Sequence, residues 1–117
     1  MVNTTSEQFP HRVRIVRSAD YRTLYQKGRR IKSERFVLFG LKNKVGHHRL
    51  GLTVSRKVGG AVVRNRIKRL FREIFRKSSH EIPSQFDIVV NAKPGCIGAS
   101  YLELREEFIS TARKFSG

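Results

Sequence analysis

Residues 59–77, GGAVVRNRIKRLFREIFRK, combine two opposed patterns in one segment. Seven of the fourteen residues from Arg64 to Lys77 are Arg or Lys and only Glu73 is acidic, yet an apolar residue returns every three or four positions. Because this spacing matches the turn of an α-helix, the segment from about Ala61 to Lys77 is predicted to be helical. One side of the helix suits a protein core, and the other side carries dense positive charge.

The charged side of this helix is predicted to form a ridge. At 100° per residue, five apolar residues share a core-facing stripe: Val63, Ile67, Leu70, Phe71 and Ile74. Four basic residues at i, i+4 spacing run beside the stripe: Arg64, Lys68, Arg72 and Arg76. Asn65 and Arg69 lie near this ridge, and Arg66 and Lys77 lie on the opposite flank. Glu73 is expected to pair with Arg69.

The ridge is interpreted as a set of phosphate contacts. Solvated helix faces usually mix charges of both signs, whereas like charges at i, i+4 repel one another. Arginine suits the role because its guanidinium binds phosphate in a bidentate manner. Asn65 could read a base edge or a ribose, or make a local hydrogen bond. The helix residues predicted to make these contacts are Arg64, Asn65, Arg66, Lys68, Arg69, Arg72 and Arg76.

The loop before the helix extends this predicted site. Gly59 and Gly60 let the backbone approach a ligand, and a helix N-terminus offers unpaired N–H groups to a phosphate. Arg56 and Lys57 flank the glycines and are predicted to contact phosphates as well. The alternative is an ordinary turn.

Positive charge is concentrated in the first two thirds of the chain. The 117 residues carry a formal net charge of +16. Residues 1–77 contain 21 Lys or Arg and four Asp or Glu, a net of +17, whereas residues 78–117 contain four and five, a net of −1. Such one-sided charge repels itself unless a polyanion relieves it. Nucleic acid is the expected polyanion, with an anionic membrane surface as the second choice.

Length and composition limit the class of protein. A chain of 117 residues fits one domain, and a hydrophobic content of 38% is too high for a disordered basic tail. No apolar run reaches the ~18 residues of a membrane span. The segment MVNTTSEQFPHRVR lacks the apolar region of a secretory signal, and the single cysteine, Cys96, excludes an intrachain disulfide. We therefore expect a cytoplasmic protein.

The remaining patterns predict a single-domain α+β sandwich with the order αβββαβα. Residues 1–17 are expected to form a flexible basic N-terminal arm, and residues 18–117 a single domain that binds nucleic acid. The sequence NKVGHH, residues 43–48, is expected to be the turn of a hairpin. The predicted elements are a helix at 18–27 that Ser18 caps and Gly28 ends, strands at 29–33, 35–42 and 49–55, the basic helix, a buried strand at 86–92, and a last helix begun by a capping box of Ser100 and Glu103.

Two tyrosines form a second candidate site. Tyr21 and Tyr25, in DYRTLYQKG, are four residues apart on the first helix and so share a face. Tyrosines can stack the bases of a single strand, at about 1–3 kcal/mol for each base. The alternative is that both are half-buried core residues with their hydroxyls directed outward.

No constellation typical of a catalytic site is present in the sequence. There is no Ser-His-Asp spacing, P-loop or CxxC pair. His47 and His48 are adjacent in a turn, which is poor geometry for a metal, and Cys96 is interpreted as a packed thiol. With nine acidic residues in the chain, a two-metal nuclease site is not expected.

The run SRKVGGAVVRNRIKRLFREIFR, residues 55–76, resembles the signature of the protein subunit of bacterial ribonuclease P. Its core is RNRIKR, residues 64–69. Upstream, DYRTLYQKG, RFVLFGL and RLGLTVSRK resemble the first helix and the second and third strands of that family. The resemblance covers residues 9–117 in the same element order. The family usually has Phe in place of Tyr21, so aromatic character is kept.

The resemblance implies a ribonucleoprotein enzyme that removes the 5′ leader from precursor tRNA. Its catalyst is a large RNA subunit, so no catalytic residue is expected in this chain. Mg²⁺ is expected to be held by the RNA subunit and the substrate, not by a protein site. The implied partners are the catalytic RNA, on which the basic helix docks, and precursor tRNA.

The resemblance also implies a central cleft for the single-stranded leader, formed by the first helix and one sheet face. Matching positions place aromatic residues and the near edge of the basic helix in or beside the cleft, the aromatic residues being Tyr21, Tyr25, and either Phe36 or Phe39. Gly51, Thr53 and Ser55 could form its floor, although the sequence leaves open which sheet face is exposed. A left-handed βαβ crossover through the basic helix is implied by the resemblance alone, since the general rule favours a right-handed one.

Three other functions compete with this interpretation. A structural RNA-binding protein of the ribosomal type would share the basic composition but not the aromatic pair beside the complete RNRIKR run. A DNA-compacting protein would be expected to dimerise and to insert side chains into the minor groove, and no such device is evident. A membrane-surface helix would need the apolar stripe that the core uses. Neither DNA nor a membrane is therefore an expected partner.

Overall fold

The computed structural model describes residues 13–82 and 85–116. Its helices are α1, Ser18–Lys27; α2, Ala61–Ser78; and α3, Tyr101–Ala112. Its strands are β1, Arg29–Lys32; β2, Phe36–Lys42; β3, Arg49–Thr53; and β4, Phe86–Ala92. Short 3-10 turns occupy Ser79–Glu81, Pro94–Cys96 and Arg113–Ser116. The predicted α+β fold with the order αβββαβα is confirmed.

The four strands form one mixed sheet in the order β1-β2-β4-β3. β4 pairs antiparallel with β2 and parallel with β3, so the β3–α2–β4 segment is a crossover connection. The prediction of a hairpin at residues 43–48 is wrong, because β4 lies between β2 and β3. This apolar strand takes the interior position, where both of its faces are covered. The handedness of the crossover stays an implication of the family resemblance.

The two faces of the sheet bury two clusters of different size. The larger cluster lies under α2 and α3 and includes Phe36, Leu38, Ile67, Phe71 and Phe108. The smaller cluster lies under α1 and contains Ile15, Leu24, Val37, Phe39 and Val89. Alternate residues of β2 point to opposite faces, as expected of a strand. On the face of the smaller cluster, α1 and Ile15 of the N-terminal segment lie beside a cavity that Tyr21 lines.

The N-terminal segment is anchored from residue 13 onward. Val13 packs against the larger cluster, Arg14 forms a bridge with Leu50, and Ile15 is buried with its N–H donating to the Leu50 carbonyl at 2.9 Å. The predicted flexible arm is therefore wrong for residues 13–15, since they extend the sheet beside β3. The prediction for residues 1–12 lies outside the described residues.

Helix ends follow local chemistry with one exception. The capping box at α3 is confirmed: the Glu103 N–H donates to Ser100 Oγ at 3.1 Å, and the Ser100 N–H donates to Glu103 Oε1 at 2.9 Å. Gly28 ends α1, and a Cβ there would lie 2.5 Å from the Leu24 carbonyl oxygen. Ser18 is not the cap that was predicted. It is the first helical residue, and Arg17 takes the cap position without a side-chain hydrogen bond.

A charged network joins the ends of three strands. Asp87 in β4 accepts from Arg49 Nε at 2.8 Å and from Asn43 Nδ2 at 2.7 Å. Because both partners donate to the carboxylate, this largely buried charge is compensated.

Across the described ranges, no helix combines the length and the apolar character that crossing a membrane would require.

Candidate nucleic-acid interface

The aromatic part of the interface is the tyrosine cleft, which we define by Tyr21, Tyr25, Phe39, Thr53 and Asn91. Tyr25 projects from α1 with 39% of its surface exposed. Its hydroxyl donates to Asn91 Oδ1 at 3.0 Å and lies 3.0 Å from Thr53 Oγ1. Its ring meets the Phe39 ring edge-to-face, with centroids 4.8 Å apart. The sheet therefore holds both ends of the Tyr25 side chain while part of the ring stays open to solvent.

Tyr21 is held more deeply than Tyr25. Its ring packs against the smaller cluster, and its hydroxyl accepts a hydrogen bond from the Leu52 N–H at 3.2 Å. Burial raises the pKa of Tyr21. The ring lies over Gly51, where a Cβ would come within 2.8 Å of the hydroxyl oxygen. The two ring centroids of the tyrosines are 6.4 Å apart.

These contacts contradict one of the two sequence interpretations of the tyrosines. The alternative of core residues expected the hydroxyls to point outward, but both hydroxyls are bonded to the sheet. Tyr25 nevertheless remains exposed, as a residue that stacks on a base must be. Thr53 and Gly51 do lie on this face, as expected of a cleft floor, and Ser55 is exposed just beyond the end of β3.

Phe36 and Phe39 were both candidates for the cleft, and the structure separates them. Phe39 lies in the smaller cluster against Tyr25. Phe36 is fully buried on the opposite face, where its ring meets Phe71 with centroids 5.4 Å apart. The placement of Phe36 at the cleft is therefore wrong. Phe36 and Phe39 are three positions apart in β2, and side chains an odd number of positions apart in a strand point to opposite faces of the sheet.

The basic helix α2 faces two ways, as its periodicity predicted. Ile67, Phe71 and Ile74 are buried, and Val63 and Leu70 pack against the same cluster. Phe75 is also buried, and its ring meets the His48 ring with centroids 6.3 Å apart. Because this stripe forms part of the larger cluster, α2 cannot expose it to a membrane without opening the core.

A cavity of about 190 Å³ joins the basic helix to the tyrosine cleft. Lys68 and Arg72 line it from α2, Tyr21 lines it from α1, and the remaining walls are Arg14, Ile15, Val16, Leu50 and Leu52. Burial and the nearby Arg14 guanidinium both lower the pKa of Arg72, and Tyr21 opposes the shift. Within residues 13–82 and 85–116, no carboxylate forms an ion pair with Lys68 or Arg72. An anion in this cavity would therefore relieve repulsion between cations.

Two members of the ridge make protein contacts that the sequence did not indicate. Arg64 Nε donates to the Gly59 carbonyl at 3.1 Å and so fixes the loop before the helix. Glu73 does not pair with Arg69; it binds Arg76 at 2.9 Å and Lys77 at 3.0 Å. Hydrogen bonds from these two cations lower the pKa of Glu73. The charge of Arg76 is thus partly compensated by Glu73, whereas Lys68 and Arg72 line the cavity beside the tyrosine cleft.

The other predicted RNA-binding residues lie on the outer surface: Arg56, Lys57, Asn65, Arg66 and Arg69 are all exposed. The Asn65 side chain has no hydrogen-bond partner among the described residues, so nothing there supports its use as a local backbone contact. Sequence reasoning missed Asn91 and Arg14. The only signal for Asn91 was a polar residue that interrupts the apolar run FDIVVNA.

The side chains of the described ranges offer no grouping of three or more His, Cys, Asp or Glu that could hold a metal ion. Cys96 is buried, and burial raises its pKa to about 11, so its thiol is a poor nucleophile at neutral pH. The arrangement is that of a binding surface. It consists of an aromatic cleft, a cationic cavity beside it, and an exposed cationic helix.

The chain matches the family model described as Ribonuclease P over residues 9–116. A ribonuclease P protein component from Alkaliphilus metalliredigens is 36% identical over 101 residues, which cover 86% of this chain and 91% of the relative. The one from Thermotoga petrophila is 45% identical over 85 residues, 73% of each chain.

Solved structures agree with the sequence relatives. The ribonuclease P protein from Thermotoga maritima superposes with a TM-score of 0.81 at 32% identity, covering 89% of this chain and 98% of that one. The protein from Staphylococcus aureus, at 2.0 Å, gives 0.76 at 35% identity, covering 85% and 91%. A mutant of the S. aureus protein, described as defective in mRNA degradation activity, gives 0.81 at 33% identity, covering 90% and 89%.

Proposed function

Since this chain belongs to the ribonuclease P protein family, we propose that it binds the catalytic RNA through α2 and the 5′ leader of precursor tRNA in the tyrosine cleft. As a member of the family it is the protein subunit of ribonuclease P, the endoribonuclease of tRNA 5′ maturation. The observation that carries the proposal is the cavity that joins Tyr21 to Lys68 and Arg72. It makes the aromatic and cationic surfaces one continuous site.

The cleft suits single-stranded RNA because its two recognition elements do not depend on sequence. Tyr25, with 39% of its surface exposed, offers its ring to a base, and every base has a π-face. Lys68 and Arg72 offer charge to the phosphates that follow. A leader has unpaired bases and a phosphate backbone, so it satisfies both, whereas double-stranded RNA hides its base faces.

The outer surface of α2 suits a structured RNA partner. Arg66 and Arg69 are exposed and lie away from the cleft, so they remain available to the catalytic RNA while the cleft holds the leader. In the proposed holoenzyme, Mg²⁺ is held by the RNA subunit and the substrate. The chain supplies positive charge, which reduces the repulsion between two polyanions. We place this complex in the cytoplasm.

The test is cleavage of precursor tRNA by a cognate catalytic RNA at low Mg²⁺, with and without this chain. We expect the protein to raise the rate at low Mg²⁺ and to have little effect at high Mg²⁺, where free cations screen the RNA. A variant with Lys42→Gln and Lys44→Gln, exposed lysines of β2 and the following loop, should stimulate as well as the wild type. If the protein gives no stimulation at any Mg²⁺ concentration, the proposal is wrong.

The protein without its RNA partner is expected to cleave neither precursor tRNA nor mRNA. Among the described residues, no group of three or more His, Cys, Asp or Glu could hold a metal ion for this chemistry. mRNA belongs in the assay because a mutant of the S. aureus relative is described as defective in mRNA degradation activity. Cleavage by RNA-free protein, purified from a host that lacks contaminating ribonuclease, would contradict this expectation.

A further inference from the structure

Two cations of β1 share a face with the tyrosine cleft. β1 is the edge strand of the sheet, and Arg30 and Lys32 are exposed on it. Arg30 pairs with Phe39 and Lys32 pairs with Val37 in the antiparallel register. Directly paired residues of two strands point to the same side of a sheet. Because Phe39 and Val37 face α1, Arg30 and Lys32 do too, and we name them the β1 strip.

The neighbouring basic residue of β1 has a separate structural role. Arg29 pairs with Gly40 and points to the opposite face, where its NH1 donates to the Lys114 carbonyl at 2.6 Å. The β1 strip makes no such contact. No ion pair or side-chain hydrogen bond joins Arg30 or Lys32 to another residue of 13–82 or 85–116. The charge of the β1 strip is therefore not compensated by any contact within the described residues.

The strip lies in line with the cleft. A row of paired residues crosses the sheet on this face: Thr53 of β3, Asn91 of β4, Val37 of β2 and Lys32 of β1. Neighbouring strands are about 4.8 Å apart, so Thr53 and Lys32 are separated by about 14 Å. The Tyr25 hydroxyl contacts the first two residues of the row. A strand of RNA that leaves the Tyr25 ring along this row therefore arrives at the β1 strip.

We propose that Arg30 and Lys32 bind phosphates of the distal part of the leader, beyond the nucleotides that lie against Tyr21 and Tyr25. This inference rests on the proposed binding of the leader in the cleft. Two separated, uncompensated cations on an exposed strand match the repeating charge of a phosphate backbone and do not select bases. The competing explanation is that charged side chains on an edge strand only prevent pairing with another sheet.

The test compares leader lengths in the reconstituted holoenzyme. Precursor tRNAs with leaders of about 3 and about 12 nucleotides, a range chosen from typical single-strand site sizes, are bound to wild type and to Arg30→Gln with Lys32→Gln. Mature tRNA is the third ligand. We expect the variant to lose affinity for the long leader alone, by about two- to thirtyfold for two exposed ion pairs. The slope of log K against log salt should fall by about 1.4 for that ligand, since each single-strand phosphate contact contributes about 0.7.

The Lys42→Gln and Lys44→Gln variant removes the same charge from exposed positions outside the strip and should bind all three ligands like the wild type. A variant with Glu at both strip positions should weaken long-leader binding further. Equal losses for the long leader and mature tRNA, or no loss at all, would overturn the assignment and leave edge protection as the role of the strip. If wild-type protein does not distinguish precursor from mature tRNA, the proposed leader site fails together with the strip. If it does distinguish them and the variant is unaffected, only the strip fails.

Discussion

Replacing Gly51 with alanine should test how the tyrosine cleft is built. A Cβ on Gly51 would lie 2.8 Å from the Tyr21 hydroxyl oxygen and 2.9 Å from its Cζ, closer than real Cβ contacts allow. Tyr21 must then shift and release its hydrogen bond from the Leu52 N–H. Overpacking costs about 1–3 kcal/mol and the lost bond about 0.5–1.5 kcal/mol, so we expect a loss of about 1.5–4.5 kcal/mol in the free energy of unfolding.

A double-mutant cycle isolates this contact. Gly51→Ala is made in wild type and in a Tyr21→Ala background, and urea unfolding is followed by circular dichroism at one fixed phosphate concentration. In the Tyr21→Ala background the added Cβ no longer contacts a ring. The effect of Gly51→Ala on the free energy of unfolding should then fall to within about 0.5 kcal/mol of zero. Gly95→Ala is the matched control, because a Cβ there would make only an ordinary 3.4 Å contact with Arg35.

The same substitution should weaken precursor binding, because Tyr21 shapes the wall between the cleft and the cationic cavity. Gly51→Ala should reduce the affinity of the holoenzyme for precursor tRNA more than for mature tRNA. An equal cost of Gly51→Ala in both backgrounds would refute the reasoning, since the cost would then arise in the strand and not from the ring above it.

Three further outcomes are expected. Replacing both Tyr21 and Tyr25 with alanine should cost the holoenzyme at most about 1–3 kcal/mol of precursor affinity for each lost stack. Dissociation constants measured in parallel should show nearly unchanged affinity for mature tRNA. Equal losses for the two ligands would mean that the rings only support the fold. Replacing the three ridge cations Arg64, Lys68 and Arg72 with alanine should lower the slope of log K against log salt for precursor binding by up to about 2.1, at about 0.7 for each single-strand phosphate contact. An unchanged slope with intact circular dichroism would show a merely solvated ridge. The free energy of unfolding should fall as pH drops below about 6.5, because burial lowers the pKa of His48, whose neutral ring accepts from the Phe86 N–H at 3.1 Å. The contribution of His48 to the free energy of unfolding is fully present above the unfolded-state pKa and is lost as the pH falls toward the lower folded-state pKa. If a His48→Gln variant shows the same decline, other groups cause it.

The amphipathic character of α2, the capped start of α3 and the end of α1 at Gly28 could be predicted from the sequence. The apolar stripe of α2 and the capping box of Ser100 and Glu103 depend on residues three or four positions apart. Such spacing acts through one turn of a helix, so a local pattern is sufficient. The segregation of charge is likewise a property of the chain itself, and it indicated a polyanionic partner before any fold was known.

The strand order and the composition of the cleft required the tertiary structure. Residues 43–48 have the composition of a hairpin turn, but β4 enters between β2 and β3 because its apolar residues need cover on both faces. The sequence offered both Phe36 and Phe39, and only the side on which α1 packs selects Phe39. Asn91 reaches Tyr25 across 66 positions of the chain, and no local pattern relates two residues so far apart. Local periodicity assigns each side chain to a face of its own element, whereas long-range burial determines which faces meet and therefore where a ligand can enter.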